Sequence, residues 1–368
     1  MKSFFRNLDS FLSLQVSSLA LIGVLTVYSA THQSPELQHI WVKQLAWLVV
    51  SLIVMYGVSK VDYHVWLEIS YWIYGLALCM LLLVLFLGSS TKGAQRWFHF
   101  GPFSFQPSEL AKLAVILALS RYIGSRSVEL FFIGRFFYML CLVGIPLLFI
   151  LKQPDLGSAI LLLPVSVVLF YVGGVPLRWL LWMGILGLSS TPIIWHFLHD
   201  YQRRRLEVFI NPQADPLGSG YNIIQSIIAI GSGGVGGKGF LAGSQTQLSF
   251  IPEHHTDFIF SVVGEEWGFL GTATVVLLYI FLFRRAFEIA RKARDREGAL
   301  LALGITGLYA VQSVVNIGMA IGLFPVTGLT LPFISYGGTS LLFSFTTIGI
   351  LLNISYANRR PVLLTGRN

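Results

Sequence analysis

Charged residues are scarce in this chain. Lys, Arg, Asp and Glu make up 11% of its 368 residues, whereas hydrophobic residues make up 55%. Soluble domains carry roughly 25% charged residues, so the composition excludes an ordinary soluble protein. Together with the long apolar runs, it predicts an all-α polytopic membrane protein.

Cysteine is also rare. The two cysteines, Cys79 and Cys141, each lie inside an apolar run, which excludes a disulfide framework and indicates a packing role. The chain also lacks a Lys/Arg-rich tract with interleaved aromatic residues. Despite the net charge of +8, we therefore expect no nucleic acid among its partners.

The apolar runs divide the chain into about ten membrane-spanning helices. A span needs roughly 20 mostly apolar residues, and this length predicts spans at 11–30, 40–59, 70–88, 108–123, 133–151, 157–174, 178–198, 267–287, 299–323 and 338–356. An even number of spans puts both termini on one side. We expect a single domain, residues 1–368, with a large ordered loop at about 199–266 between the seventh and eighth helices.

The distribution of positive charge predicts which side is cytoplasmic. With cytoplasmic termini, most of the 25 lysines and arginines fall on the cytoplasmic side, as the positive-inside rule requires. Arg203, Arg204 and Arg205 are the exception, because they lie in the 199–266 loop on the outer face. They are either a solvated or headgroup-contacting cluster or a phosphate-binding one, which the planar guanidinium fork suits.

The same loop contains two further motifs. Apolar residues at helical spacing in 221–230 predict an ordered helix packed on the membrane face. The glycine run 231–239, which includes Lys238, is either a turn that admits positive φ or a set of backbone N–H groups near a phosphate. It lacks the βαβ context of a dinucleotide fingerprint and the Ser or Thr of a P-loop.

Ionisable residues cluster just after this run, at Glu253, His254, His255 and Asp257. Their spacing matches no usual zinc signature, and Pro252 weakens a regular helix there. Asp257 precedes an apolar run, so it is either the N-cap of a helix or, in a long polar loop with clustered cations, a catalytic base.

Other charged residues also fall on the outer side. Glu109 and Lys112 are spaced i, i+3 on the fourth predicted span and can pair, either as a structural ion pair or as functional groups at membrane depth. Arg96 precedes them in an outer loop, and Asp155 lies in the short turn between the fifth and sixth spans. The excess of cations suits an anionic, lipid-linked substrate.

Eight segments together resemble the SEDS family (shape, elongation, division and sporulation proteins). They follow the family's order over nearly the whole chain, at 92–97 (KGAQRW), 105–112 (FQPSELAK), 153–158 (QPDLGS), 200–205 (DYQRRR), 220–226 (GYNIIQS), 229–234 (AIGSGG), 252–260 (PEHHTDFIF) and 331–338 (LPFISYGG).

The resemblance implies a glycosyltransferase of the bacterial inner membrane that polymerises lipid II into glycan strands of peptidoglycan on the extracytoplasmic face. The implied partners are a class B penicillin-binding protein, which is a transpeptidase, the nascent glycan strand, and other membrane proteins of the elongation machinery. A role in division is the alternative to elongation. A flippase or transporter for lipid-linked precursors and a non-catalytic cell-wall scaffold are the competing functions.

The resemblance maps the family's essential aspartate onto Asp257, which would take a proton from the acceptor's sugar hydroxyl as general base. Cations would stabilise the departing diphosphate. A divalent cation, Mg²⁺ or Mn²⁺, could share that role, although no aspartate-rich motif marks a metal site. The predicted substrate-binding residues are Arg96, Glu109, Lys112, Asp155, Arg203, Arg205, Lys238 and His255.

Overall fold

Helices dominate the computed structural model, which describes residues 9–91, 94–101, 103–125, 133–198, 200–211, 215 and 218–359. In chain order they are α1 (Ser10–Thr31), α2 (Ile40–Ser59), α3 (Tyr63–Glu68), α4 (Ser70–Leu87), α5 (Pro107–Gly124), α6 (Ile133–Lys152), α7 (Leu156–Val172), α8 (Leu177–Ser189), α9 (Thr191–Phe197), α10 (Asp200–Ile210), α11 (Ser219–Ser232), α12 (Ser244–Gln247), α13 (Ile259–Arg291), α14 (Arg296–Ala320) and α15 (Gly338–Arg359). The predicted helical fold is confirmed.

One small sheet departs from the all-α prediction. Strands β1 (Ser89–Thr91), β2 (Ala94–Phe100) and β3 (Phe103–Phe105) form an antiparallel meander between α4 and α5. Aromatic residues recur through β2 and β3, and such residues favour strands. The sheet falls in a segment that the span count treats only as an outer loop.

Within the described residues, seven helices are long and apolar enough to cross a membrane, namely α1, α2, α4, α6, α13, α14 and α15. The other three predicted spans are helical but shorter or more polar. Three charged residues, Glu109, Lys112 and Arg121, lie in α5, and α7 has 17 residues. The predicted span 178–198 is divided into α8 and α9, because Pro192 has no backbone N–H to continue the helical ladder. The number of ten spans stays a prediction.

The centre of the bundle is formed by α5, α14 and α15. Residues 111–120 of α5 are buried on every side, and α14 contacts α5, α7 and α13 while α15 packs along α2. Large apolar side chains on the outer helices, such as Phe86 and Leu188, are exposed, as expected of surfaces that face lipid. The charged residues of α5 therefore lie inside the protein.

The predicted loop 199–266 contains α10, α11, α12 and the first turns of α13. The helix predicted over 221–230 is confirmed as α11. Ser226 fixes it to the bundle, because its Oγ donates to the carbonyl of Ala320 (2.5 Å) and lies 2.6 Å from Oγ of Ser261. The position of this loop between a seventh and an eighth span, and the single domain over 1–368, stay predictions.

A break in α13 separates its first turns from the long apolar part. The helix begins at Ile259, earlier than the predicted 267, but its backbone is non-helical at Gly268 (φ 64°, ψ −157°). The glycine run packs against this break so closely that a Cβ on Gly237 would lie 2.1 Å from the carbonyl oxygen of Glu266. Only glycine permits that approach.

Backbone amides of the run serve this packing. The N–H groups of Lys238 and Gly239 donate to the carbonyls of Glu265 (3.0 Å) and Glu266 (3.0 Å) at the break. The geometry thus supports the turn alternative for 231–239, because these amides complete the ladder of α13 instead of facing a phosphate.

A buried carboxylate ties three helices together at the opposite end of the bundle. Asp9 caps α1 through the N–H of Leu12 (3.2 Å), and its Oδ2 accepts hydrogen bonds from Arg285 of α13 (2.8 Å) and Ser355 of α15 (3.0 Å). Burial alone would raise the pKa of Asp9, but the hydrogen bonds from Arg285 and Leu12 outweigh it and hold the pKa below its usual value. Since α1 has 22 residues, these hydrogen bonds of Asp9 lie roughly 33 Å from the other end of the helix.

We expect Asp9→Asn to lower the free energy of unfolding by about 1–3 kcal/mol at neutral pH, because charge-assisted hydrogen bonds are lost while the helix cap is kept. The pKa of Asp9 is depressed in the fold, so its contribution is present above the ordinary Asp value of about 3.9 and disappears as the pH falls through the lower folded value. Unfolding of both proteins in detergent at neutral and acidic pH measures the difference, which should shrink at acidic pH.

The matched control is Asp62→Asn. Asp62 caps α3 through the N–H of His64 (3.0 Å), but its side chain is 65% exposed, so we expect a change within about 0.5 kcal/mol. Equal losses of unfolding free energy at the two positions would contradict the role given to the hydrogen bonds of Asp9.

Candidate functional site

Asp257 ends a tight turn that precedes α13. Glu253 has φ 55°, and its carbonyl accepts hydrogen bonds from the N–H groups of Thr256 (3.1 Å), Asp257 (3.1 Å) and Phe258 (3.3 Å). The helix then begins with Phe258 at its N-cap and without a side-chain cap. Phe258 is thus the N-cap residue, and Asp257, whose side chain is half-buried, lies one residue before it.

Donors from two other parts of the chain hold this turn. They are α14 and the non-helical connection between α14 and α15, which we call the 321–337 connection. Three successive carbonyls accept one hydrogen bond each: that of His255 from the Tyr336 N–H (3.0 Å), that of Thr256 from the Ser335 Oγ (2.6 Å) and that of Asp257 from the Asn316 Nδ2 (2.9 Å). Two motifs far apart in sequence, 252–260 and 331–338, thus form one structure.

Asp257 and Arg205 border a small space beside Gly328, which we call the gap. A Cβ built on Gly328 would be 3.6 Å from Oδ2 of Asp257 and 4.0 Å from Nη1 of Arg205. Gly328 has φ 72°, a conformation that favours glycine. The carboxylate and the guanidinium therefore border the same gap, whose floor is the backbone at Gly328.

The three consecutive arginines of α10 point to three different places. Arg203 donates to the carbonyls of Trp195 (2.9 Å) and His196 (2.9 Å), near the end of α9. Arg204 pairs with Asp215 (2.9 Å). Successive residues of a helix are rotated by about 100°, so a run of cations cannot share one face. Of the two predicted to bind substrate, the structure brings Arg205 to Asp257 and engages Arg203 in the local packing.

Arg96 and Asp155 meet on the other side of the 321–337 connection. Nη2 of Arg96 donates to the carbonyl of Pro154 (2.9 Å), and its Nη1 lies 3.6 Å from Oδ1 of Asp155. Asp155 also caps α7 and is buried. A Cβ on Gly157 would lie 2.8 Å from the carbonyl oxygen of Thr327, so this pair and Asp257 flank the same stretch of backbone.

Glu109 and Lys112 form the predicted ion pair. Nζ of Lys112 lies 2.8 Å from Oε1 of Glu109, and the two side chains are only 2% and 12% exposed. Burying such a pair costs several kcal/mol of desolvation, which the attraction between the two charges must offset. The pair lies in the first turns of α5, inside the bundle.

Lys238 is engaged by a buried carboxylate. Its Nζ lies 2.7 Å from Oε1 of Glu265, whose side chain is fully buried. Glu265 also accepts hydrogen bonds from the N–H groups of Gln245 (2.8 Å) and Thr246 (3.0 Å). This network ties α12 and the glycine run to α13, and the substrate-binding role of Lys238 stays a prediction.

The two histidines of the turn differ in setting. His254 is buried with Nδ1 2.7 Å from the carbonyl oxygen of Ile251 and Nε2 2.6 Å from that of Ala30. His255 is half-buried beside the ring of Tyr336, at a centroid distance of 6.0 Å. Both ring nitrogens of His254 face carbonyl oxygens, and the described residues contain no group of three His, Cys, Asp or Glu side chains that could hold a metal ion. The zinc alternative does not fit this geometry.

Sequence reasoning missed three residues of this site. The side chains of Asn316 and Ser335 bind backbone carbonyls of the turn, and Gly328 lies beside Asp257, so neither charge nor a spacing rule identifies these residues. A weak signal existed for Asn316, because it follows Gln312 by one turn on an apolar span, and polar groups at membrane depth are functional candidates.

Comparisons with known proteins agree over almost the full chain. The family model FtsW/RodA/SpoVE, described as cell cycle protein, matches residues 9–360. The peptidoglycan glycosyltransferase MrdB of Escherichia coli (strain K12) is 39% identical over 351 residues, which cover 95% of this chain and 93% of MrdB. The probable peptidoglycan glycosyltransferase FtsW of Trichlorobacter lovleyi is 38% identical over 370 residues, covering 98% and 96% of the two chains.

Solved structures share the fold. A chain from a study of the structural coordination of polymerization and crosslinking by a peptidoglycan synthase complex superposes with a TM-score of 0.83 at 34% identity, covering 96% of this chain and 99% of that one. The rod shape determining protein RodA of Thermus thermophilus gives a TM-score of 0.73 at 30% identity, covering 96% and 98%.

We expect Lys238→Met to lower the free energy of unfolding by about 1–3 kcal/mol, because Glu265 stays buried without its cation but keeps its backbone donors. The double variant Lys238→Met/Glu265→Gln should recover part of the loss, since it removes the uncompensated charge. Thermal unfolding in detergent measures both. An unchanged stability in Lys238→Met would contradict the structural role and return Lys238 to the set of substrate contacts.

Proposed function

We propose, on the premise that the chain belongs to the FtsW/RodA/SpoVE family of cell cycle proteins, that it polymerises lipid II into the glycan strands of peptidoglycan. The SEDS resemblance is confirmed by that membership. MrdB is a peptidoglycan glycosyltransferase and FtsW a probable one, and this chain is an enzyme of the same class.

The proposal for the site rests on the gap that Asp257 and Arg205 border beside Gly328. The acceptor's sugar hydroxyl lies in this gap and gives its proton to Asp257 as its oxygen bonds to the anomeric carbon of the donor. The bond between that carbon and the diphosphate oxygen breaks at the same time. Arg205 stabilises the negative charge that develops on the diphosphate. Such electrostatic stabilisation usually lowers the reaction barrier more than general-base catalysis does.

The other predicted residues fall into two groups around this gap. Arg96 and Asp155 flank the backbone at Thr327 from the far side, and with the buried pair Glu109 and Lys112 we assign them to the lipid-linked part of the substrate. The second group shapes the loop next to the gap and comprises Arg203, Lys238 and His255. A divalent cation would be brought by the diphosphate, because the part of the chain that the structure describes holds no group of three His, Cys, Asp or Glu side chains for it.

The membrane orientation follows the same proposal. Both termini face the cytoplasm of the bacterial inner membrane, and the Asp257 site lies on the extracytoplasmic face. The support is the separation of charge along the bundle: Arg284, Arg291 and Lys292 are exposed near the Asp9 end, as the positive-inside rule expects, whereas Asp257 is packed near the opposite end of α1 through His254 and Ala30.

The partner is a class B penicillin-binding protein that cross-links the product, together with other membrane proteins of the elongation machinery. Support comes from the similarity to a chain of a peptidoglycan synthase complex that coordinates polymerization and crosslinking. Similarity to the rod shape determining protein RodA supports elongation over division. The identities of 39% to MrdB and 38% to FtsW are too close to decide between those roles by themselves.

Asp257→Asn should lower the rate of lipid II polymerisation by about 10²- to 10⁴-fold, because the isosteric amide cannot accept the proton. The measurement uses the purified protein with its transpeptidase partner and resolves glycan polymer on gels. Asp200→Asn is the control, since Asp200 is fully exposed on the same loop, and it should stay near the wild-type rate. Wild-type polymerisation by Asp257→Asn would remove Asp257 as the base. No polymer from the wild type would favour a flippase or a scaffold.

Arg205→Gln should lower kcat by about 10²- to 10³-fold, since it removes a charge aimed at the leaving group. Arg204→Gln, one residue earlier, should stay within about twofold, because Arg204 pairs with Asp215 (2.9 Å) and its own side chain is 62% exposed, where a cation contributes little. Steady-state polymerisation by both variants tests this. A larger loss for Arg204→Gln would contradict the assignment of Arg205.

A further inference from the structure

One side-chain amide reaches both walls of the gap beside Asp257. Asn316 is fully buried in α14. Its Nδ2 donates to the carbonyl of Asp257 (2.9 Å) and to the carbonyl of Leu329 (2.6 Å). The first carbonyl belongs to the base, and the second belongs to the neighbour of Gly328. A single planar NH₂ group with two hydrogens therefore sets how far the base lies from the floor of the gap.

A buried hydroxyl fixes the same turn one residue earlier. Oγ of Ser335 donates its hydrogen to the carbonyl of Thr256 (2.6 Å) and accepts the N–H of Leu331 (2.7 Å). Ser335 is 5% exposed, so water does not compete for either bond. The hydroxyl joins the residue before the base to the 321–337 connection, which also carries Gly328.

We propose that Asn316 and Ser335 are positioning residues of the glycosyl transfer: they hold the carboxylate of Asp257 at its working distance from Arg205 and Gly328 through the backbone, without touching the substrate. The inference rests on the proposed role of Asp257 as the base. Its physical reason is that a proton transfer needs a near-attack geometry, and a displacement of about 1 Å costs about 100-fold in rate.

The chemistry of the two side chains makes specific substitutions informative. Asn316→Ala deletes both donors, and Asn316→Asp keeps the shape but sets an oxygen against two carbonyl oxygens. Ser335→Ala deletes one donor, whereas Ser335→Thr retains the hydroxyl. Gln312 supplies the matched control one turn earlier on α14, because it is equally buried and its amide donates to the carbonyl of Thr330 (2.9 Å), not to the turn.

The test is steady-state lipid II polymerisation by the full chain with its transpeptidase partner, together with thermal unfolding of each variant. For Asn316→Ala we expect kcat to fall about 10- to 100-fold with KM within about twofold. Asn316→Asp should lose at least as much, and Ser335→Ala should lose in kcat while Ser335→Thr recovers most of it. Gln312→Ala should stay within about twofold in kcat even where its unfolding temperature falls as far as that of Asn316→Ala.

Two results would overturn the inference. One is an equal loss of kcat in Asn316→Ala and Gln312→Ala at equal stability, which would make the amide a structural bond like any other. The other is a rise in KM with kcat unchanged, which would make it a binding group. If Asn316→Ala does not fold, the Ser335→Ala and Ser335→Thr pair decides alone, and equal activity of these two counts against positioning.

The Asp257→Asn variant, measured alongside, separates this inference from the function on which it rests. An active Asp257→Asn overturns the assignment of the base and the positioning inference with it. An inactive Asp257→Asn combined with no difference between Asn316→Ala and Gln312→Ala overturns the positioning inference alone.

Discussion

Non-helical backbone inside an apolar bundle has few hydrogen-bond partners, and this constraint determines how the site is built. The turn at Glu253–Asp257 and the 321–337 connection both lie against buried helices, where unmade hydrogen bonds cost several kcal/mol each. Three consecutive carbonyls of the turn accept hydrogen bonds from Tyr336 and Ser335 of the connection and from Asn316 of α14. The position of Asp257 thus follows from how the connection and α14 satisfy the backbone of the turn.

Four pairs of a carboxylate and a cation lie elsewhere in the described bundle. Asp9 meets Arg285, Glu109 meets Lys112, Asp155 meets Arg96 and Glu265 meets Lys238. Such pairs add little net stability when complete, but they are costly to break, so they fix which elements adjoin. Asp257 differs in burial, because it is half-buried and lies with Arg205 beside Gly328.

Sequence patterns predict the helices of this chain better than they predict the site. Local hydropathy predicts where the helices lie, and a motif singles out Asp257 as a candidate. Both predictions need only the sequence close to the residues concerned. The different contacts of Arg203, Arg204 and Arg205 could not be predicted in this way. Neighbouring residues of a helix point in directions about 100° apart, so three consecutive arginines reach different surroundings. The glycine run is also ambiguous in sequence, since the same residues suit a phosphate loop and a close helix contact. The contact of Asn316 with the backbone 59 residues away is indicated in the sequence only by the weak signal of a polar residue on an apolar span.

Gly328 shows why the gap is bounded by backbone on one side. Its φ of 72° disfavours any L side chain, and the space above it, measured by a Cβ at 3.6 Å from Asp257 and 4.0 Å from Arg205, would be filled by the first carbon of such a chain. The conformation therefore favours glycine, and the absence of a side chain leaves this space open beside both groups. Because the floor is main chain held by Asn316 through Leu329, it cannot rotate away as a side chain can. Asn316 binds the carbonyls of both Asp257 and Leu329, so one side chain sets the position of Asp257 relative to this backbone.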